Sequence, residues 1–162
     1  MTKKEILKNI ENNLGDKTSL GQGCKENQYF LLVRDKRDIK EVMRYLFKDL
    51  GARMNIMTGV DGRDSVEVLY HMSWDKVGLM VTVKAFAEKP FPSIDSVTDV
   101  IIGAKWIERE IYELFDVKFK GHPELIPLLR SDTRPADYFP FKREVKEKHP
   151  TIREKEKGTK EK

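Results

Sequence analysis

Residues 52 to 87 hold three apolar runs in quick succession, and the joints between them decide what kind of sheet this chain can form. "ARMNIMTGVD" is joined through "DGRD" to "SVEVLYHMSW", and "DKVG" leads into "LMVTVKAFA". Asp61-Gly62 and the stretch Asp75 to Gly78 put turn residues where tight hairpins need them. Val66, Val68 and Tyr70 alternate with Glu67, Leu69 and His71, while Leu79, Val81, Val83 and Ala85 share one face. The pattern predicts an antiparallel meander with one buried face, not a βαβ unit.

The flanks supply the layer that covers that face. Ile6, Leu7, Ile10 and Leu14 fall on one side of a helix over residues 3 to 14, after which Gly15, Gly21 and Gly23 break the period. "QYFLLVRD" (28 to 35) reads as a short buried strand. Ile39, Val42, Met43, Leu46, Phe47 and Leu50 recur at three- and four-residue steps, an amphipathic helix over 36 to 50 that Gly51 stops in the left-handed position. "EKPFPS" is a rigid loop, with Ser93 or Ser96 as helix caps. Val100, Ile101, Ala104, Ile107, Ile111, Leu114 and Phe115 form a further stripe that Gly103 interrupts, a break between two helices. Beyond Lys120 the period is lost, and Pro123, Pro127, Pro135, Pro140 and Pro150 punctuate the rest. The expected fold is α+β: a small, mostly antiparallel sheet with helices packed on one face, plus an extended C-terminal arm. The core domain is expected over 1–125. The arm, over 126–162, is Pro/aromatic in its first half and a charge run in its second.

Composition narrows the function. A chain of 162 residues suits one domain. Its start is a charged amphipathic helix rather than a signal peptide, and no run reaches the roughly 20 apolar residues of a spanning helix. Cys24 is the single cysteine, so neither an iron–sulfur cluster nor an internal disulfide is expected, and a reducing compartment is. His71, His122 and His149 show no metal-ligand spacing. Two glutamines against abundant Lys and Glu match the surface of heat-adapted proteins. The net charge of +4 resides in residues 142 to 162, with nine Lys/Arg against five Glu, so the body of the chain is neutral. A nucleic-acid binder would carry its charge on the folded body.

Candidate chemistry is sparse outside one stretch. His71 lies mid-strand, where an exposed or hydrogen-bonded sheet histidine is the plain reading. Cys24 follows "GQG", which lacks the lysine of a phosphate loop. The exception is "WIEREIYELFDVKFKGHPELIPLLR" (106 to 130). With Ile107, Ile111, Leu114 and Phe115 toward the core, Glu108, Arg109 and Glu113 fall toward solvent or a partner. Arg109 can pair with Glu113, and Lys105 with Glu108 or Arg109. Gly121 and Pro123 restrict His122 on both sides and present its imidazole at a fixed angle, suited to a ligand, a catalyst or a docking contact.

These residues resemble the NuoC-type or 30-kDa subunit of respiratory NADH:quinone oxidoreductase and its hydrogenase relatives. The family pattern is Glu-Arg-Glu, two residues, an acid, two apolar residues, a six-residue spacer and His. Here it reads Glu108-Arg109-Glu110, Glu113, Leu114-Phe115 and His122, continued by Leu128-Leu129. Ile126-Pro127 stands where the family is basic, and "RPADYFPF" keeps Asp137, Phe139 and Pro140 of a later family stretch without its histidine and basic pair. These departures point to the archaeal branch, the membrane-bound energy-converting [NiFe] hydrogenases.

The resemblance implies a non-catalytic structural and assembly subunit of a ferredoxin-linked hydrogenase, in the peripheral arm on the cytoplasmic side of the cell membrane. It would dock on the large catalytic subunit beside neighbouring iron–sulfur subunits, with no nucleic acid and no membrane span. No cofactor is implied in this chain; the NiFe centre and iron–sulfur clusters would lie on partners. Expected docking residues are Glu108, Arg109, Glu110, Glu113, Phe119, Gly121, His122 and Pro123 at the corner, with Tyr138, Phe139 and Pro140 on an arm lying along the neighbour. The same type of subunit in a complex I-like NADH or ferredoxin:quinone oxidoreductase, or in a sulfur-reducing complex, is the alternative. Rivals of other classes are a hydrolase using Glu110 and His122 and a nucleic-acid binder using the basic tail.

Overall fold

The computed structural model describes residues 1–129 and 138–143. Its elements, in chain order, are α1 (Lys3–Leu14), β1 (Thr18–Gln22), β2 (Gln28–Val33), α2 (Ile39–Arg44), β3 (Arg53–Asp61), β4 (Ser65–Trp74), β5 (Leu79–Glu88), β6 (Ser93–Asp95), α3 (Ala104–Phe115) and β7 (Lys118–Lys120). A 3₁₀ turn over Lys36–Asp38 leads into α2, and a π turn over Tyr45–Asp49 extends it. Together they span the single helix expected from the apolar period, and Gly51 closes it at φ +67°.

The meander forms as the turn residues require. β3 pairs antiparallel with β4, and β4 with β5. The hairpin β1–β2 joins through a parallel pairing of β2 with β5, giving the order β1-β2-β5-β4-β3. The sheet is therefore mostly antiparallel, with one parallel seam. Val66, Val68, Tyr70 and Met72 of β4 and the alternate residues of β5 from Leu79 to Ala87 are buried. They meet Ile6, Ile10 and Leu14 of α1 and Val42, Met43 and Leu46 of the second helix in one core. Thr2 begins α1 with a reciprocal cap: its hydroxyl accepts from the Glu5 amide while the Glu5 carboxylate accepts from the Thr2 amide.

Several expectations are corrected. β1 escapes the sequence pattern because it is a five-residue edge strand with three polar side chains and a glycine, leaving Leu20 its single apolar side chain. β2 is half buried: Leu31 and Val33 are inside, Phe30 and Leu32 outside. Ser93 and Ser96 cap no helix, since residues 93 to 95 form β6, paired in parallel with β7. Gly103 does not separate two helices; it immediately precedes α3, and residues 97 to 102 run in turns.

α3 lies against β3 because Gly59 leaves room for it. A Cβ at Gly59 would come within 2.7 Å of the Phe115 ring, inside van der Waals contact. Gly59→Val is expected to cost about 1–3 kcal/mol in urea unfolding, the usual penalty for overpacking. Phe115→Leu should be less harmful in the Gly59→Val background than alone, a non-additivity that a double-mutant cycle reads directly.

Candidate functional site

The corner that holds the Glu-Arg-Glu motif is built on α3, and its polar side chains are not where spacing alone puts them. Glu108 is fully buried, Arg109 is 7% exposed and Glu113 is 9% exposed. The expectation that they face solvent or a partner is corrected, and so is the pairing of Arg109 with Glu113. Each satisfies backbone instead. Arg109 donates from Nε to the carbonyl of Ile126 (2.9 Å) and from a terminal nitrogen to that of Pro127 (3.0 Å). The Glu113 carboxylate accepts from the amides of Leu128 (2.6 Å) and Leu129 (2.7 Å). Lys105 pairs with Glu124 at 2.9 Å rather than with Glu108 or Arg109.

These contacts follow a register. Lys105, Arg109 and Glu113 step four residues along the helix; Glu124, Ile126 and Leu128 step two along the following chain. The segment is not a strand: it turns at residues 123 and 124, the Ile126 amide donates to the Glu124 carbonyl, and it bends at 128 and 129. One helix face, from Lys105 to Glu113, holds it along its length. Neither segment has internal partners for these groups, and leaving one of them buried and unpaired costs about 1–3 kcal/mol.

His122 sets the start of that segment. Its Nδ1 accepts from the Glu124 amide (2.9 Å) and its Nε2 donates to the Lys105 carbonyl (3.0 Å). An amide can only donate and a carbonyl only accept, so the ring is fixed as the Nε2–H tautomer. Gly121, at φ +80°, turns the chain into this position, and Pro123 follows, exposed. The imidazole is thus tied internally, not displayed. Glu110 is exposed, about 140° round the helix from Lys105, where His122 is anchored. The structure does not bring the acid–base pair of the hydrolase reading together.

Glu108 works inward. Its carboxylate accepts from the Ser96 hydroxyl (2.6 Å) and the Val97 amide (2.8 Å), fastening the turn before α3 to the helix. The Ser96 hydroxyl also meets that of Thr98. Burial pushes the Glu108 carboxyl up to about 7, with Asp99 adding to the shift and the Ser96, Val97 and Lys40 contacts opposing it. Beside it, the buried Tyr70 hydroxyl finds no partner among the described residues. Burial, then the Glu108 and Asp95 charges, raise that phenol well above its usual range.

The arm returns to its own domain. Phe139 is buried against Tyr112, with centroids 6.3 Å apart, and Phe141 meets Phe115 edge-on at 5.5 Å. The Phe141 amide donates to the Leu114 carbonyl in the last turn of α3, and the Arg143 amide to Asp61, whose other oxygen pairs with Lys89. Phe139 is therefore buried within its own chain, whereas Phe141 touches Phe115 and stays 49% exposed. Tyr138 and Pro140 are half buried. Phe119, in β7, is a core residue. Asp137 and residues 144 to 162, with most of the basic tail, lie outside the described residues.

What spacing missed is a set of outward apolar side chains: Ile102 is 77% exposed, Trp106 57%, Ile126 49% and Leu129 78%. The Arg109 guanidinium lies 5.1 Å from the Trp106 ring and carries it. The available signal was a tryptophan off the apolar stripe of its own helix. Elsewhere, His71 is a satisfied sheet histidine between the Thr58 and Thr82 hydroxyls, lowered from its usual range by burial, and Cys24 is exposed. Among the described residues no cluster has metal-ligating geometry, and no helix is long and apolar enough to cross a membrane.

Two expectations follow from this geometry. Glu113→Ala should speed hydrogen exchange at Leu128 and Leu129 while leaving β4 and β5 protected, read by peptide-resolved exchange. For Glu108, folding holds the proton more tightly than the unfolded chain does. Its contribution to stability is therefore complete below about 4.5 and falls away as pH rises to about 7. Glu108→Gln should accordingly gain on the parent protein across that window, by no more than about 3 kcal/mol, and the difference should be flat above it. Urea midpoints at successive pH values measure this.

The family model described as "Respiratory-chain NADH dehydrogenase, 30 Kd subunit" matches residues 32–151. The C-type subunit of the F420H2 dehydrogenase of Methanosarcina mazei is 40% identical over 101 residues, covering 60% of this chain and 64% of that one. Its counterpart in the NADH-quinone oxidoreductase of Citrifermentans bemidjiense is 36% identical over 103 residues, covering 60% and 63%. The chain thus spans less than two thirds of the curated relatives it matches. In fold it is similar to a chain of the archaeal membrane-bound sulfane sulfur reductase, with a TM-score of 0.77 and 20% identity over 92% of both chains. A trypsin-resistant fragment of Nqo5 superposes with a TM-score of 0.61 at 22% identity, over 74% of this chain and 98% of the fragment. The matched residues include the whole of α3, His122 and the segment they hold, and the chain belongs to the 30-kDa subunit family of respiratory-chain NADH dehydrogenases.

Proposed function

We propose that this chain is a non-catalytic docking subunit of a membrane-bound, complex I-related respiratory complex, seated on the large subunit of its peripheral arm. The observation that carries the reading is the family match, which spans the α3 corner and the segment it clamps. The geometry supports it: Arg109 and Glu113 are engaged in holding residues 126 to 129, Glu108 in holding residues 96 and 97, and the apolar side chains of Ile102, Trp106, Ile126 and Leu129 are left outward. Tryptophan stacked on arginine is the composition that carries binding energy at protein interfaces. Among the described residues, no acid–base pair is brought together there.

Within that class, the first assignment is the energy-converting [NiFe] hydrogenase, on the departures at Ile126-Pro127 and in "RPADYFPF" and on the heat-adapted composition. Such a complex would carry its NiFe centre and iron–sulfur clusters on other chains, at the cytoplasmic side of the membrane. The second reading is a complex I-like oxidoreductase, favoured by the identity to the corresponding chains of an F420H2 dehydrogenase and an NADH-quinone oxidoreductase.

Purification of the native protein in mild detergent, with mass spectrometry of the accompanying chains and a nickel determination, tests both levels. A large subunit with stoichiometric nickel is expected; a large subunit without nickel selects the second reading; a stable monomer overturns the proposal. Trp106→Ala should reduce recovery of the large subunit by about tenfold or more while the isolated chain's melting temperature stays nearly unchanged, because the ring is more than half exposed.

A further inference from the structure

The helices cover one face of the five-stranded sheet; no described residue covers the other. On that open face the register aligns Phe30 with Thr82 and His71, and next to that row Leu32 with Lys84 and Leu69. Phe30, Leu32, Ile56 and Val60 are 46%, 37%, 48% and 46% exposed. Single exposed apolar residues are ordinary, but here two pairs, on β2 and on β3, flank a centre held by His71, Thr82 and the Lys84–Glu67 pair.

The charges say what fits it. In a chain that is 36% charged, the outward positions of β2 to β5 hold only Arg53, Glu67, Lys84 and Glu88. Each is neutralised: Arg53 by Asp75 at the end of the strand, Glu67 by Lys84 (2.7 Å), and Glu88 by Lys36. Both nitrogens of His71, at the centre, are taken by the Thr58 and Thr82 hydroxyls. The face offers no net charge and few open hydrogen-bonding groups. Depletion of charge with retained aromatic and aliphatic side chains marks the core of a protein interface, and it disfavours acidic, basic and lipid-headgroup ligands alike. Five strands at about 4.8 Å, with about 20 Å of strand length, give a flat footprint of about 480 Å², a little over half the roughly 800 Å² per partner of a standard interface and in the range of small contacts.

We infer that the open sheet face is a second docking surface, occupied by a neutral, apolar surface of another protein subunit of the parent complex, distinct from the one at the α3 corner. The inference rests on the reading of this chain as part of a complex. The two surfaces face opposite ways. Trp106 is about 200° round α3 from Glu108, which points to the sheet, so the α3 surface looks away from the helix layer while Phe30 and Ile56 look away from the sheet. One neighbour would have to wrap the domain to reach both. The chain is on this account a spacer held between two neighbours.

The test uses the full-length tagged chain in its native cells, with the complex recovered in mild detergent. Phe30→Glu and Ile56→Glu place a charge at the centre of each half of the face. Trp106→Glu serves as the control at the other surface, and circular dichroism melting confirms that each variant folds. The face variants should lose one neighbouring chain by about tenfold or more while keeping the chain that Trp106→Glu loses. Face variants that retain every chain overturn the inference and leave the reading as a docking subunit intact. Loss of one and the same chain by all three variants overturns the two-neighbour assignment. A parent protein that purifies alone overturns both. If the isolated chain sediments as a dimer that Phe30→Glu converts to monomer, the occupant is a second copy and the inference is wrong.

Discussion

Nearly everything at the corner depends on helix side chains meeting the peptide groups of a chain that is neither helix nor strand. Arg109 and Glu113, four residues apart on one face of α3, each reach two peptide groups of residues 126 to 129. The chemistry is complementary along the segment: a guanidinium meets two carbonyls, then a carboxylate meets two amides. Pro127 fits this order, since it has a carbonyl to offer and no amide to satisfy. His122 and the Lys105–Glu124 pair fix the first step, and the Phe141 amide closes the last turn of the helix.

The sheet side supplies the platform. Gly59 lets Phe115 approach β3, and Glu108 locks the turn over residues 96 and 97 to the underside of the helix. A carboxylate in that position is an unfavourable way to make a junction, because burial opposes its charge even with two donors in place. It nonetheless fixes the position of α3 with hydrogen bonds of definite direction, which apolar packing alone does not do.

The meander, the helix stopped by Gly51 and the layer of helices were all legible, because each rests on a periodicity that the core enforces. The short edge strand β1 was not, since one buried residue in five leaves no period to read. The corner was legible as a motif and misread as geometry. A helical wheel sorts residues by polarity, so Glu108, Arg109 and Glu113 were sent outward. It has no means of knowing that 17 residues later the chain returns with unpaired carbonyls and amides that only such side chains can meet. The same blindness affected the arm, where Phe139 and Phe141 turn back to Tyr112 and Phe115 across a separation in sequence that no local pattern spans.

Over residues 126 to 129 the grip of α3 is on main chain. Arg109 and Glu113 recognise peptide groups, which every residue but proline presents alike, and they leave the side chains of Ile126 and Leu129 untouched. The identity of those two residues is uncoupled from the path of the segment that bears them. Substitution there remodels the outer surface while the scaffold beneath keeps its shape, so one inherited fold can carry many different surfaces at this corner.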